Sequence, residues 1–202
     1  MKITAIKAQV KRAARYSVFV DEAYSFSLSE DTLLDQRLVV GQELDASAIA
    51  NLHQLSDDDK MYNRAINYLA IRVRSQWEME QYLTRKESSQ PLIESIVSKL
   101  TKLNLLNDAT FAEAFVRDRQ MVRPTSTRML LVELRKRHIA SDIISSVLST
   151  LEVDDRKSIH EVIMKKRRQS KYVDTTKLMQ YLARQGYQYG AIKAALQVED
   201  DQ

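Results

Sequence analysis

The chain of 202 residues has no cysteine, three glycines (Gly41, Gly186, Gly190), two prolines (Pro91, Pro124), one tryptophan and three histidines. Without cysteine there is no disulfide, thiolate zinc site, iron–sulfur cluster or cysteine nucleophile. Three scattered glycines build neither a Walker loop nor a dinucleotide-binding turn, which need several glycines within a few residues. No apolar run approaches the ~18 residues that cross a bilayer, so no membrane contact is expected. The opening MKITAIKAQVKRAARYS lacks the unbroken apolar stretch of a secretion signal, which makes the cytoplasm the expected location.

Catalytic patterns are missing as well. His53, His138 and His160 stand apart without ligand or acid–base spacing, and no G-x-S-x-G elbow presents a serine. Asp57-Asp58-Asp59 reads as a helix N-terminus, because consecutive helical residues point about 100° apart and do not converge on one ion. The expectation is a binding protein and not an enzyme, with no catalytic residue, no metal site and no cofactor.

What remains is 44% hydrophobic and 29% charged, enough for a core and rich in helix formers. Charge is uneven: residues 1–60 carry a net of −3 and residues 61–202 a net of +7. Near the N-terminus Tyr16/Val18/Val20 and Tyr24/Phe26/Leu28 alternate with polar residues around a break at Asp21-Glu22-Ala23. This predicts a β-hairpin, with Ile3 and Ala5 opening a third strand. Asp45 is a candidate N-cap for a short helix carrying Ile49 and Leu52.

Beyond residue 60 the chain repeats. Leu83, Leu134 and Leu182 align; eight residues before them stand Ser75, Ser126 and Asp174, all N-cap types, and ten after them Ile93, Ile144 and Ile192. Glu78 completes a capping box with Ser75. Tyr62/Ile66, Phe111/Phe115 and Ile159/Ile163 open the three copies. The spacing predicts helices at 62–72, 76–86 and 91–103, at 108–122, 126–137 and 141–151, and at 155–170, 175–185 and 188–197. Trp77 is assigned to packing. The fold class is mainly α: an elongated tandem array of three three-helix modules (57–106, 107–152, 153–202) preceded by a small β-hairpin region with a short helix (1–56).

Basic residues gather in the second module. Arg128, Arg135 and Lys136 share one side of a helix whose opposite side carries Leu130 and Leu134, and Arg117 faces away from Phe111 and Phe115. Lys165, Lys166, Arg167, Arg168 and Lys171 add charge at a helix C-terminus, where a dipole role also accounts for them. Such a surface suits phosphates or an acidic protein groove.

Across residues 61–197 the chain resembles the RecX family, regulators of the RecA recombinase. The resemblance rests on Ala65-Ile66-Asn67-Tyr68-Leu69-Ala70 with Arg74-Ser75, Glu78 and Tyr82-Leu83. Leu105-Leu106-Asn107-Asp108-Ala109-Thr110-Phe111-Ala112 with Arg117, Arg119 and Glu133-Leu134 carries it further, as do Tyr181-Leu182-Ala183-Arg184 and Gly186-Tyr187. Glu87, His138 and Asn104 stand where the family usually has glycine; Gly186 keeps it. The resemblance implies a protein that binds the RecA nucleoprotein filament and modulates, chiefly by inhibition, its ATPase, recombination, DNA-repair and SOS-response activity; a monomer is expected. It also implies contact with single-stranded DNA, and with double-stranded DNA secondarily, through phosphates. The contact candidates are Arg72, Arg74, Arg117, Arg119, Arg123, Arg128, Arg135, Lys136 and Arg184. A stand-alone DNA-binding helical protein (a helix-turn-helix-like regulator or architectural protein) and a purely structural scaffold are the alternatives.

Overall fold

The computed structural model describes residues 1–10 and 14–200, mainly helical with one small sheet. The chain divides into two compact units: residues 1–71 with 82–98, and residues 72–81 with 99–202.

In the first unit, strands β1 (Ile3–Ala8), β2 (Arg15–Val20) and β3 (Ala23–Ser29) form an antiparallel sheet in that order. The expected alternation sends Val18, Val20, Phe26 and Leu28 into a core with Ile3, Leu38, Leu44 and Leu52. Val20 pairs with Ala23, which leaves a two-residue turn with positive φ at Asp21 (47°) and Glu22 (68°). Such turns favour Asn and Gly. Here β1 and its approach hold the turn: the Lys2 N–H donates to Asp21 Oδ1 (2.8 Å), and Thr4 Oγ1 accepts from the Glu22 N–H (3.0 Å).

Helix α1 (Glu30–Asp35) is capped by Ser29 and leads to α2 (Ala46–Ile71), 26 residues without a break. The cap is where the sequence places it, since Asp45 Oδ1 accepts from the Ala48 N–H (2.7 Å). The new helix expected at Asp57 is not there; α2 runs through it and across the 56/57 boundary. The three carboxylates take separate partners instead. Asp57 pairs with Lys60 (2.8 Å), Asp58 accepts from the Gln54 amide (2.9 Å), and Asp59 accepts from the Ser29 N–H (2.6 Å) and Thr32 Oγ1 (2.8 Å). Asp59 thus fastens the start of α1 to the middle of α2. Buried Arg15 donates to Ser27 Oγ (3.0 Å) and Ser27 O (2.9 Å), and Ser56 Oγ of α2 donates to the same carbonyl (2.8 Å).

Helices α3 (Gln76–Thr84) and α4 (Gln90–Lys102) contribute residues to both units. In the second unit, α5 (Asp108–Val122), α6 (Thr127–Arg135) and α7 (Ser141–Thr150) enclose Phe111, Val116, Leu130, Leu134 and Ile144. Helices α8 (Asp155–Arg167), α9 (Thr175–Arg184) and α10 (Tyr189–Asp200) enclose Ile159, Ile163, Leu178, Leu182 and Ile192. A 3-10 turn at Ser170–Tyr172 takes up the end of the helix expected to reach residue 170.

The aligned leucines Leu83, Leu134 and Leu182 are fully buried. Each also accepts, at its carbonyl, the N–H five residues on: Ser88 (3.2 Å), Ile139 (3.3 Å) and Tyr187 (3.3 Å). The residue between is left-handed every time: Glu87 (φ 60°), His138 (59°) and Gly186 (90°). This is a Schellman-type helix end. Asn104 (54°) and Glu152 (46°) adopt the same conformation.

Candidate partner-binding surface

Two joints in the second unit are built alike. The start of a helix leaves backbone N–H groups without intrahelical partners. At α3, Ser75 Oγ accepts from the Glu78 N–H (3.1 Å), and the Gln76 N–H donates to Asp108 Oδ1 (2.8 Å). At α6, Ser126 Oγ accepts from the Met129 N–H (3.2 Å), and the Thr127 N–H and Oγ1 donate to Asp155 Oδ1 (2.7 and 2.8 Å). Asp108 and Asp155 are themselves the first residues of α5 and α8, so each carboxylate serves the positive ends of two helices. Burial pushes the Asp108 carboxyl above the usual carboxylate range, and the Gln76 N–H opposes that shift.

The joints differ where the next helix end arrives. At the first, Trp77 stacks on His138, with ring centroids 5.2 Å apart and planes 12° apart, which accounts for Trp77 as a packing residue. At the second, Ser126 Oγ donates to Gln185 O (2.7 Å). A Cβ built on Gly186 would lie 2.7 Å from that hydroxyl. At α9 the aligned cap, Asp174, accepts from the Thr176 N–H (2.9 Å) and the Lys177 N–H (3.3 Å). The Lys177 N–H, then the Thr176 N–H and the Lys177 charge, hold its carboxyl below the usual range.

The nine candidate cations lie on these helices or in the segments beside them, and they fall into two groups. In the first, Arg72 grips Glu78 through both Nη atoms (2.9 Å each), so the Glu78 carboxylate meets a guanidinium and does not close a capping box. Arg119 pairs with Glu133 (3.0 Å). Arg123 donates to Gln185 Oε1 (3.1 Å), and Arg74 is half-buried. In the second group the charges face water. Arg128, Arg135 and Lys136 are exposed along and just beyond α6, opposite buried Leu130 and Leu134, and no ion pair or side-chain hydrogen bond engages them among the described residues. Arg117 is exposed with one long contact to Glu113 (3.9 Å), and Arg184 is exposed with Nε donating to Gln180 O (3.3 Å).

A feature absent from the candidate set is the pair of guanidinium groups over Phe115: Arg119 at 4.8 Å and Arg137 at 4.5 Å from the ring centroid. Arg137 also donates to Glu133 O (2.8 Å). The four-residue step from Phe115 to Arg119 is visible in the sequence. The arrival of Arg137 from beyond α6 depends on the tertiary fold. The exposed row of Arg128, Arg135 and Lys136 is a cationic surface that can attract phosphates or carboxylates through charge alone.

Three family models match: the regulatory protein RecX N-terminal domain at residues 1–45, the first RecX three-helix domain at 62–100 and the second at 107–148. The regulatory protein RecX of Bacillus subtilis (strain 168) is 32% identical over 199 residues, covering 96% of this chain and 75% of the relative. That of Oceanobacillus iheyensis is 32% identical over 209 residues, covering 98% and 77%. A crystal structure of regulatory protein RecX superposes with a TM-score of 0.81 at 26% identity, over 97% of this chain and 98% of that one. The sheet, the helical triplets and the aligned caps therefore have one source: the chain belongs to the RecX family of regulatory proteins.

Proposed function

We propose that the chain regulates the RecA recombinase by binding its nucleoprotein filament and inhibiting its ATPase, recombination and DNA-repair activity, through contact and without catalysis. The observation that carries this reading is the exposed row Arg128, Arg135 and Lys136 in a protein of the RecX family. Arg128 and Arg135 lie two turns apart, about 10 Å along the helix, and with no acidic partner among the described residues they are available to phosphates. Arg117 and Arg184 extend the contact. Arg72, Arg74, Arg119 and Arg123 support it from positions more closely tied to the fold. The three modules at 57–106, 107–152 and 153–202 act as tandem contacts, so a modest affinity per module multiplies along the filament.

Neutralising the row (Arg128→Gln, Arg135→Gln, Lys136→Gln) is expected to lower the salt slope of filament binding by about 2, from roughly 0.7 per lost phosphate contact on a single strand. An unchanged slope contradicts this surface. The same exposed row also favours a second reading, direct DNA binding without the recombinase. Its sign is an equal slope on bare oligonucleotide and no added affinity from the recombinase.

A further inference from the structure

A groove of about 250 Å³ runs between α5 and α7, and no residue of α6 lines it. Ala109, Ile143 and buried Val147 line it together with the carboxylates of Glu113 and Asp142. Asp142 is exposed in the first turn of α7, and no side-chain hydrogen bond or ion pair engages it among the described residues. Glu113 has the 3.9 Å contact to Arg117, at the outer limit of an ion pair.

We infer that this groove docks a lysine or arginine side chain carried on a helix of a partner protein. On the reading above, on which this inference rests, the partner is a recombinase subunit. The aliphatic stem of such a side chain matches Ala109, Ile143 and Val147, and its charged head matches the two carboxylates. A phosphate backbone is repelled by the same pair, so the groove selects protein over DNA. Asp142 and Ser146 lie one turn apart on α7, as do Ala109 and Glu113 on α5, so the groove follows the helix axes and suits a helix laid along it. One helical triplet thus presents a cation row on α6 for phosphates and a groove with two carboxylates on the other two helices for a basic side chain. A nucleoprotein offers both.

The test compares the wild type with Glu113→Lys/Asp142→Lys and, separately, with Ser146→Trp, which fills the groove without changing charge. Each is titrated against recombinase filaments on single-stranded DNA and against the oligonucleotide alone. Both variants are expected to bind the filament about tenfold more weakly, with oligonucleotide affinity unchanged for Ser146→Trp and unchanged or tighter for the double reversal. Wild-type binding to the filament with both variants equal to it overturns the groove and leaves the recombinase reading standing. A wild type that does not bind the filament overturns both.

Discussion

Gly186 satisfies two demands at one position: a left-handed backbone, with φ at 90°, and room for Ser126 Oγ beside its Cα. Gly186→Ala introduces a Cβ 2.7 Å from a hydroxyl already committed to Gln185 O (2.7 Å). Strain of the left-handed region and disturbance of a buried cap together are expected to cost about 2 kcal/mol, read as a lower denaturation midpoint. Two carboxylates at helix starts should respond to acid in opposite senses. Asp174, held low by the Lys177 and Thr176 N–H groups, stabilises the fold above the ordinary carboxylate pKa, and that contribution disappears as pH falls through its lowered value. Asp108, raised by burial, is destabilising while ionised, so the fold gains stability as pH falls through its raised value. Asp108→Asn keeps the oxygen that accepts from Gln76 and removes the charge. Relative to this variant, the wild type should gain thermal stability as pH falls through the raised value of the Asp108 carboxyl. A difference that does not change with pH contradicts the raised, half-buried carboxylate.

At the scale of elements, the three helix ends after Leu83, Leu134 and Leu182 share one hydrogen-bond pattern, but only the last has glycine at the left-handed position. Glu87→Gly relieves that strain at an exposed site and is expected to stabilise the protein by about 1 kcal/mol in chemical denaturation. His138→Gly should gain less, since it also removes the stack on Trp77. The repeating caps and buried leucines were legible because their partners lie within one helical turn. The same locality exposed the outward row of Arg128 and Arg135. Contacts that span the fold were not legible. Asp59 resembles a helix start in isolation, yet it takes its hydrogen bonds from Ser29 and Thr32, some thirty residues away, and α2 passes straight through. Likewise, nothing in the local spacing shows that Glu133 holds Arg119, or that Arg137 comes to rest over Phe115. Three dimensions thereby divide nine equivalent-looking cations into those engaged within the fold and those left to water.

For the whole molecule, the repeated joints bear on the proposed function. Asp108 and Asp155 tie helix starts of successive triplets by the same bond, so the second unit is assembled by one rule used twice. On the proposed function, affinity grows as modules are added, and the effect on a filament of many identical subunits should exceed the regulator's mole fraction. On the proposed reading, the salt dependence comes chiefly from the α6 row, and selection of protein over DNA comes from the groove between α5 and α7. The most direct measurement is the DNA-dependent ATPase rate of purified RecA recombinase on single-stranded DNA as this protein is titrated in. Inhibition well below one molecule per recombinase subunit, weakened in Arg128→Gln/Arg135→Gln/Lys136→Gln, is the predicted result. An ATPase rate that stays constant up to equimolar protein would contradict it.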